Sequence, residues 1–307
     1  MEDFKIKFRG VRGSFPVVDK DFFQYGGNTS CVEVLVGNHT IILDAGTGIV
    51  KAGDEIMEKY ISSALEPKNR TQINTSILLS HIHQDHLLGL TFFKPMHIKS
   101  AKIDIFGDGN ENSDLKRNLS VLAFGKTFPL DLNDIQCELN IHNLSESHSI
   151  LFKPNCAPQL VENDKLKQNE DDVLVTYYKS YVHPQDGVII YKISYKNKSV
   201  VYATDKESYV GGDKKFIQFA KNCNLLIHDA QYTSEDYMNP HSSKQGYGHS
   251  TYEMALEAKN KTNAQKLVFF HYEPSYDDSK LDKIKELYTS QNKNVLMAYE
   301  GLELNIE

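Results

Sequence analysis

The chain has 307 residues, 40% apolar and 24% charged, with a formal net charge of −7. That length holds one large α/β domain or two smaller ones, and the composition is that of an ordinary globular protein. No apolar run approaches the roughly 20 residues that span a bilayer. The start Met1-Glu2-Asp3-Phe4-Lys5 has no signal-peptide pattern, so no membrane partner and cytoplasmic residence are expected. Lys and Arg are dispersed among acids, which argues against a large nucleic acid as partner. Cys31, Cys137, Cys156 and Cys223 show no Cys-x-x-Cys spacing and support neither a disulfide framework nor a thiolate zinc site. All four are expected to be small buried residues.

In chain order, Phe4 to Phe8 alternates like a half-buried strand and is broken by Gly10-Val11-Arg12-Gly13-Ser14. Cys31 to Val36 and Thr40 to Leu43 read as a hairpin around Gly37-Asn38-His39, with His39 a turn residue rather than a ligand. Asp44-Ala45-Gly46-Thr47-Gly48 then leads into a helix from about Ile49 to Ser62. Ile77-Leu78-Leu79 is a buried strand end, and Leu87-Leu88-Gly89-Leu90 begins a short apolar helix. From about 102 to 173 the chain is less regular. It reads as a strand and a helix with extended loops overhanging the site, including Asp108-Gly109-Asn110-Glu111-Asn112 and the polar run from Glu162 to Asp172.

Regularity returns after Val173 to Tyr178. Val188 to Ile193 and Ser199 to Ala203 form a second hairpin turning at Lys196-Asn197-Lys198. A helix near Asp213 to Lys221 precedes the strand Leu225 to Ile227. The helix Thr251 to Lys261 is expected to start on Ser250 as N-cap, with Glu253 completing a capping box. The strand Leu267 to Phe270, a helix over Asp282 to Tyr288 and a last strand Val295 to Tyr299 follow. The order implies two similar α/β halves packed sheet to sheet.

The chemistry concentrates in Ser80-His81-Ile82-His83-Gln84-Asp85-His86. Four ligand-capable side chains follow one buried strand end, where His81 and His83 can converge on one point and Asp85 and His86 on a second. Imidazole nitrogen and carboxylate oxygen are the donors a borderline cation such as zinc takes. About three protein ligands per cation are needed when a position is kept open. The missing ones are expected at strand ends, where His183, Asp205 and His271 sit. A carboxylate such as Asp205 is suited to bridge two cations about 3.5–4 Å apart.

The motif resembles the His-x-His-x-Asp-His signature of the metallo-β-lactamase superfamily, whose fold is an αββα sandwich. That fold is expected here as one domain over 1–307, with the 102–173 stretch as an insert. Further segments resemble the ribonuclease-Z-like branch. They are Phe8-Arg9-Gly10-Val11-Arg12-Gly13-Ser14-Phe15-Pro16, Tyr25-Gly26-Gly27-Asn28-Thr29-Ser30-Cys31 and Leu43 to Gly48. Tyr202-Ala203-Thr204-Asp205, His228-Asp229-Ala230-Gln231-Tyr232, Gly248-His249-Ser250-Thr251 and Phe270-His271-Tyr272-Glu273-Pro274 continue the likeness. The branch includes bacterial cyclic-nucleotide phosphodiesterases and phage anti-Pycsar enzymes.

The resemblance implies His81, His83 and His183 on one cation, Asp85, His86 and His271 on the other, and Asp205 shared. It also implies a non-ligand His249 reaching the phosphate, oriented by Asp229. His249 also precedes a helix start, which favours an anion. His228 reads as a support for the site or as core, and His97, His142, His148 and His241 have no partner pattern. Arg9 and Arg12 are open between substrate contact and loop pinning.

The implied reaction is hydrolysis of a small phosphodiester, a 3′,5′-cyclic nucleotide first, by a hydroxide bridging two divalent cations, zinc or alternatively manganese. His249 would donate a proton or stabilise charge, and Asp85 would help orient the hydroxide. A homodimer is implied by the resemblance alone. Three other readings stand beside this one. A tRNA 3′-processing endoribonuclease shares the motifs but carries a basic arm not visible here. A non-catalytic, metal-dependent nucleotide sensor would have no need for an activated water. A true β-lactamase is disfavoured, because no cysteine stands at a ligand position.

Overall fold

The computed structural model describes residues 4–109, 114–126, 128–209, 211–290 and 292–307. Asn110, Glu111 and Asn112 of the loop segment that begins at Asp108, and Met1-Glu2-Asp3, lie outside the described residues.

Two mixed sheets face one another. The first is built from β1 (Phe4–Gly10), β2 (Cys31–Val36), β3 (His39–Leu43), β4 (Asn74–Leu78), β5 (Lys102–Asp108) and β6 (Glu138–Leu144). The second takes β7 (His148–Phe152), β8 (Gln159–Glu162), β9 (Val173–Ser180), β10 (Val188–Tyr195), β11 (Lys198–Ala203), β12 (Leu225–Asp229), β13 (Lys266–Phe270) and β14 (Val295–Met297). A final strand, β15 (Glu303–Asn305), crosses back to pair antiparallel with β1 in the first sheet. The strand orders are β15-β1-β2-β3-β4-β5-β6 and β14-β13-β12-β11-β10-β9-β7-β8.

In each sheet a hairpin feeds a parallel run, β3 to β6 in one and β11 to β14 in the other. Parallel strands need crossovers, and helices supply several of them. They are α1 (Ile49–Ser62), α2 (Leu115–Leu122), α3 (Lys214–Phe219), α4 (Ser234–Tyr237), α5 (Tyr252–Thr262) and α6 (Asp278–Thr289). Ile49 and Ala52 of α1 and Leu115 and Leu119 of α2 join the core on the outer face of the first sheet. Phe216 of α3, Tyr252 and Ala255 of α5 and Leu281 and Ile284 of α6 join the larger core that includes both inner sheet faces. The layers are therefore helix, sheet, sheet, helix, as the order of elements implies.

Several local expectations need correction. The stretch from 102 to 173 supplies five strands, β5 to β8 and the start of β9, and both sheets depend on it. Its alternation is weak because β6 and β8 are largely half-exposed, which hides the strand period. Two of its parts come near the metal-motif loop: Leu122 and Phe128 line a cavity with Ile82 and Gln84, and Asp108 and Asn118 line another with Ser80, His81 and Ile82. In place of a helix from Leu87 there are short 3₁₀ turns at Leu90–Phe92 and Lys94–His97. Helix α5 starts on Thr251, whose hydroxyl accepts from Met254 N at 3.3 Å, while Ser250 Oγ donates to the Lys206 carbonyl at 2.5 Å. Cys156 is exposed, whereas the other three cysteines are buried. His39 opens β3, its ring 5.3 Å from Phe152.

Arg9 and Arg12 both pin structure. Arg12 is fully buried and donates to the Gly26 carbonyl at 2.8 Å and the Tyr276 carbonyl at 2.6 Å. Arg9 joins β1 to β2 and α1, donating to Glu33 at 2.5 and 2.9 Å and to Glu55 at 2.5 Å. Glu33 is sealed from solvent, so removing its cation leaves an uncompensated charge. Arg9→Ala is expected to cost about 3–5 kcal/mol in urea unfolding. The double change Arg9→Met with Glu33→Leu should recover most of that loss, and equal instability of the two variants would disprove this account.

Candidate metal centre

The site lies where strands stop. Asp44 follows β3, His81 to His86 follow β4, Asp205 follows β11, Asp229 ends β12 and His271 follows β13. Carboxyl ends of parallel strands are where an open α/β sheet presents its ligand-binding residues. Asp44, Asp205 and His271 have φ of 61°, 52° and 65°. For non-glycine residues the left-handed turn costs about 1–2 kcal/mol each, and it swings each side chain back across the strand end. His183 comes from the loop after β9.

Four overlapping groups of possible donors result among the described residues. His81, His83 and His183 form the first and Asp85, His86, Asp205 and His271 the second, while His183, Asp205 and His249, and Asp229, His249 and His271, form two more, with the donor atoms of each group within 4.8 Å of one another. In the second group His86 Nε2 lies 3.2 Å from both Asp85 Oδ2 and Asp205 Oδ2. His271 Nε2 lies 3.2 and 3.3 Å from the same two atoms. With metal–ligand bonds near 2.0 Å, the edge of a coordination tetrahedron is about 3.3 Å. The four atoms are therefore already spaced for one small cation.

In the first group His183 Nε2 is 3.0 Å from His83 Nδ1. Asp205 Oδ1 is 3.8 Å from His81 Nε2 and 3.6 Å from His183 Nε2. One oxygen of Asp205 thus faces each of these two groups.

The electrostatics agree with this fit. His81 Nε2 and His86 Nε2 are buried yet make no hydrogen bond, which leaves their lone pairs for a Lewis acid. Burial alone would raise the Asp85 and Asp205 carboxyls, but the surrounding imidazoles hold both well below the usual carboxylate range. Burial would lower His86, but Asp85, Asp205 and Asp44 hold it well above the usual imidazole range. These acids demand positive charge at this spot, and a divalent cation supplies it with His86 neutral. Burial pushes His81 well down and His183 to about 4, so both rest as neutral imidazoles fit to ligate. The His/Asp cluster fits a metal site.

Supporting contacts aim the rings. Asp44 accepts from Ser80 N at 2.6 Å, Ser80 Oγ at 2.8 Å and Tyr202 OH at 2.8 Å, and lies 2.8 Å from His86 Nδ1. Gln231 Oε1 is 3.0 Å from His271 Nδ1, and the Gly248 carbonyl is 3.3 Å from His183 Nδ1. The opposite sheet holds the motif loop, because Tyr191 OH donates to the Leu79 carbonyl at 2.6 Å and Ile189 N to the Ser80 carbonyl at 2.8 Å. From the N-terminal loop Ser14 N donates to Asp85 at 2.8 Å.

His249 Nδ1 is 2.8 Å from Asp229 Oδ2, while Ser250 N donates to Asp229 Oδ1 at 2.9 Å. Burial lowers the His249 pKa, but the Asp229 charge and hydrogen bond overcome it and raise it to about 9. Glu207 fastens the loop carrying His249, accepting from Gly246 N at 2.8 Å and Gly248 N at 3.0 Å. All the motif-derived residues therefore converge. Asp44, Gln231, Glu207 and Ser80 carry no role in the sequence reading, although Asp44 stands at a visible strand end in a segment quoted above. His228 is core, packed against Phe216 and held near pKa 4 by burial, and His142 pairs with Asp104 at 2.8 Å away from the cluster.

Residues 39–272 match the β-lactamase superfamily domain. The chain belongs to that superfamily. It is a metal-dependent hydrolase on that footing. The ribonuclease Z of Picrophilus torridus is 25% identical over 99% of this chain and 96% of its own. Other relatives bearing that name are 20–24% identical. Among solved structures, human tRNase Z, short form, superposes with a TM-score of 0.57 at 16% identity, covering 99% of each chain. A diphosphatase from the PhnP family gives 0.63 at 15% identity, covering 99% of this chain and 98% of its own. At these identities the structures speak for the fold alone. The relatives overturn the expectation that a large nucleic acid is disfavoured as partner, since those aligned nearly end to end are ribonucleases by name. Net charge misled because it sums the whole surface, whereas recognition is local.

Asp44→Asn should weaken metal affinity about 10–100-fold, because it removes the charge behind His86. Competition with a chromogenic chelator measures this, and an unchanged affinity would refute the supporting role of Asp44.

Proposed function

We infer that this hydrolase cleaves phosphodiester bonds in RNA as an endoribonuclease of the ribonuclease Z type. The observation carrying the reaction class is the double donor cluster around Asp205, with His249 fixed beside it by Asp229. The end-to-end relationship to ribonuclease Z supports RNA as the substrate. The family resemblance also covers 3′,5′-cyclic nucleotides, which serve as comparison substrates in the test.

His81, His83 and His183 would hold one cation, Asp85, His86 and His271 the other, with Asp205 between them. When bound, such cations acidify water and take up charge on phosphate oxygens. The protein's own groups do the rest. Asp85, anchored by Ser14 N, would offer an acceptor that helps orient the attacking water. His249 has Nδ1 committed to Asp229, so Nε2 is the nitrogen left to reach the phosphate. Holding a proton there, it stabilises the charge that builds on the phosphoryl group or gives the proton to the leaving oxygen. Cations nearby would lower its pKa from the raised value and bring it nearer to neutrality, where a general acid works best.

Metal-loaded protein is expected to cut an RNA bearing a single-stranded 3′ trailer, to lose that activity to a strong chelator and to regain it with zinc or manganese. His249→Ala should keep its metal and lose about 10²–10⁴ in kcat, whereas Asp205→Ala should lose metal and turnover together. Gel analysis of the trailer alongside cyclic mononucleotides decides the substrate. Hydrolysis of the cyclic compounds with an intact trailer would replace the RNA reading.

A further inference from the structure

Exposed aromatic rings stand on the segments that supply the site. Tyr181, 77% exposed, stands two residues before His183, and Tyr247, 54% exposed, two residues before His249. Phe15, 56% exposed, follows Ser14, whose amide holds Asp85. The two tyrosine-bearing segments touch. Gly248 has φ +89°, and a Cβ there would lie 2.3 Å from His183 Nδ1. The rings of His183 and His249 are 5.1 Å apart.

Each tyrosine also has a lysine near its face, Lys179 Nζ at 5.5 Å from the Tyr181 ring and Lys244 Nζ at 5.3 Å from the Tyr247 ring. Lys179 is paired as well with Asp108 at 2.5 Å. Exposed aromatic faces joined to cations are what a protein offers an unpaired nucleobase and its phosphate. A phosphoester without a base would gain nothing from such faces. A duplex keeps its base faces stacked inside, so it would find no partner for them either.

We propose that Tyr181 and Tyr247, with Phe15 on the Asp85 side, form a stacking rim that receives the nucleobases flanking the scissile phosphate in a single-stranded segment of RNA. This rests on the RNA-hydrolase reading above. The rim sets which strand state is productive. An unpaired base can lie on a tyrosine face and bring its phosphate to the cluster, and a paired one cannot. Because every base has a π-face, the rim tolerates any sequence.

The test uses metal-loaded full-length protein and two RNA oligonucleotides, one ordinary and one with abasic nucleotides on both sides of the cleaved bond. Tyr181→Ala and Tyr247→Ala should each raise KM for the ordinary RNA about tenfold, with a much smaller change in kcat. The abasic RNA should already be weak on the wild type, and the alanine variants should penalise it far less than they penalise the ordinary one. Tyr181→Phe and Tyr247→Phe should restore KM, since the ring and not the hydroxyl stacks.

Equal penalties on both RNAs, or phenylalanine variants as defective as alanine, would overturn the rim. Wild-type protein that cleaves both RNAs with the same KM would also overturn it and leave the RNA-hydrolase reading standing. Wild-type protein that neither binds a non-cleavable version of the ordinary RNA nor cleaves it would overturn that reading, and the rim with it.

Discussion

Asp44, Asp85 and Asp205 are almost sealed from water at one end of the sandwich, and balancing their charge is the constraint around which the rest is arranged. An unpaired buried carboxylate costs several kcal/mol after relaxation. Neutral imidazoles offer lone pairs but no charge. The spacing of donors around Asp205 answers that demand, because both its oxygens look into a group of nitrogens. The orphaned nitrogens of His81 and His86 belong to the same arrangement. A core built for stability alone would fill that space with apolar side chains.

Holding these groups against relaxation takes a rigid frame. The left-handed turns at Asp44, Asp205 and His271 are locally unfavourable, and they persist because each is clamped between a buried strand and the facing sheet. Tyr202 reaches across from β11 to Asp44, and Tyr191 from β10 to Leu79, so the second sheet ties down the first sheet's histidine-rich loop. The extensive core between the inner faces supplies the stability that such strain consumes. In this sense the site and the sandwich are one structure.

Much of this is legible in the residues. The β2–β3 hairpin, helix α1 and the run of buried strands from β10 to β13 follow from apolar period and turn chemistry. The candidate ligands Asp205 and His271 can be read because each stands just beyond such a strand, and His183 because it lies in the loop after β9. What is hidden has a physical reason in each case. Strands β6 and β8 are half-exposed and carry no clear alternation. Thr251 and Ser250 are equally good caps by composition, and the choice is made by a tertiary acceptor, the Lys206 carbonyl. Gln231 and Glu207 contact the site through loops whose course no local rule gives.

The charge argument fails in an instructive way. A net charge of −7 describes the field at a distance, and it disfavours slow, non-specific capture of polyanions. It says little about the few ångströms around the cluster, where bound cations would reverse the local sign, or about the segments leading to it, where Lys179 and Lys244 stand beside exposed rings. A chain with no basic block in its sequence can still pair aromatic and cationic groups on segments far apart in sequence. Tyr181 and Tyr247 are 66 positions apart in sequence, yet their segments meet at Gly248 and His183. An enzyme that grips its substrate this way binds through contact at the scissile bond rather than through long-range attraction. Its affinity should then depend on salt more weakly than that of a protein with a basic arm.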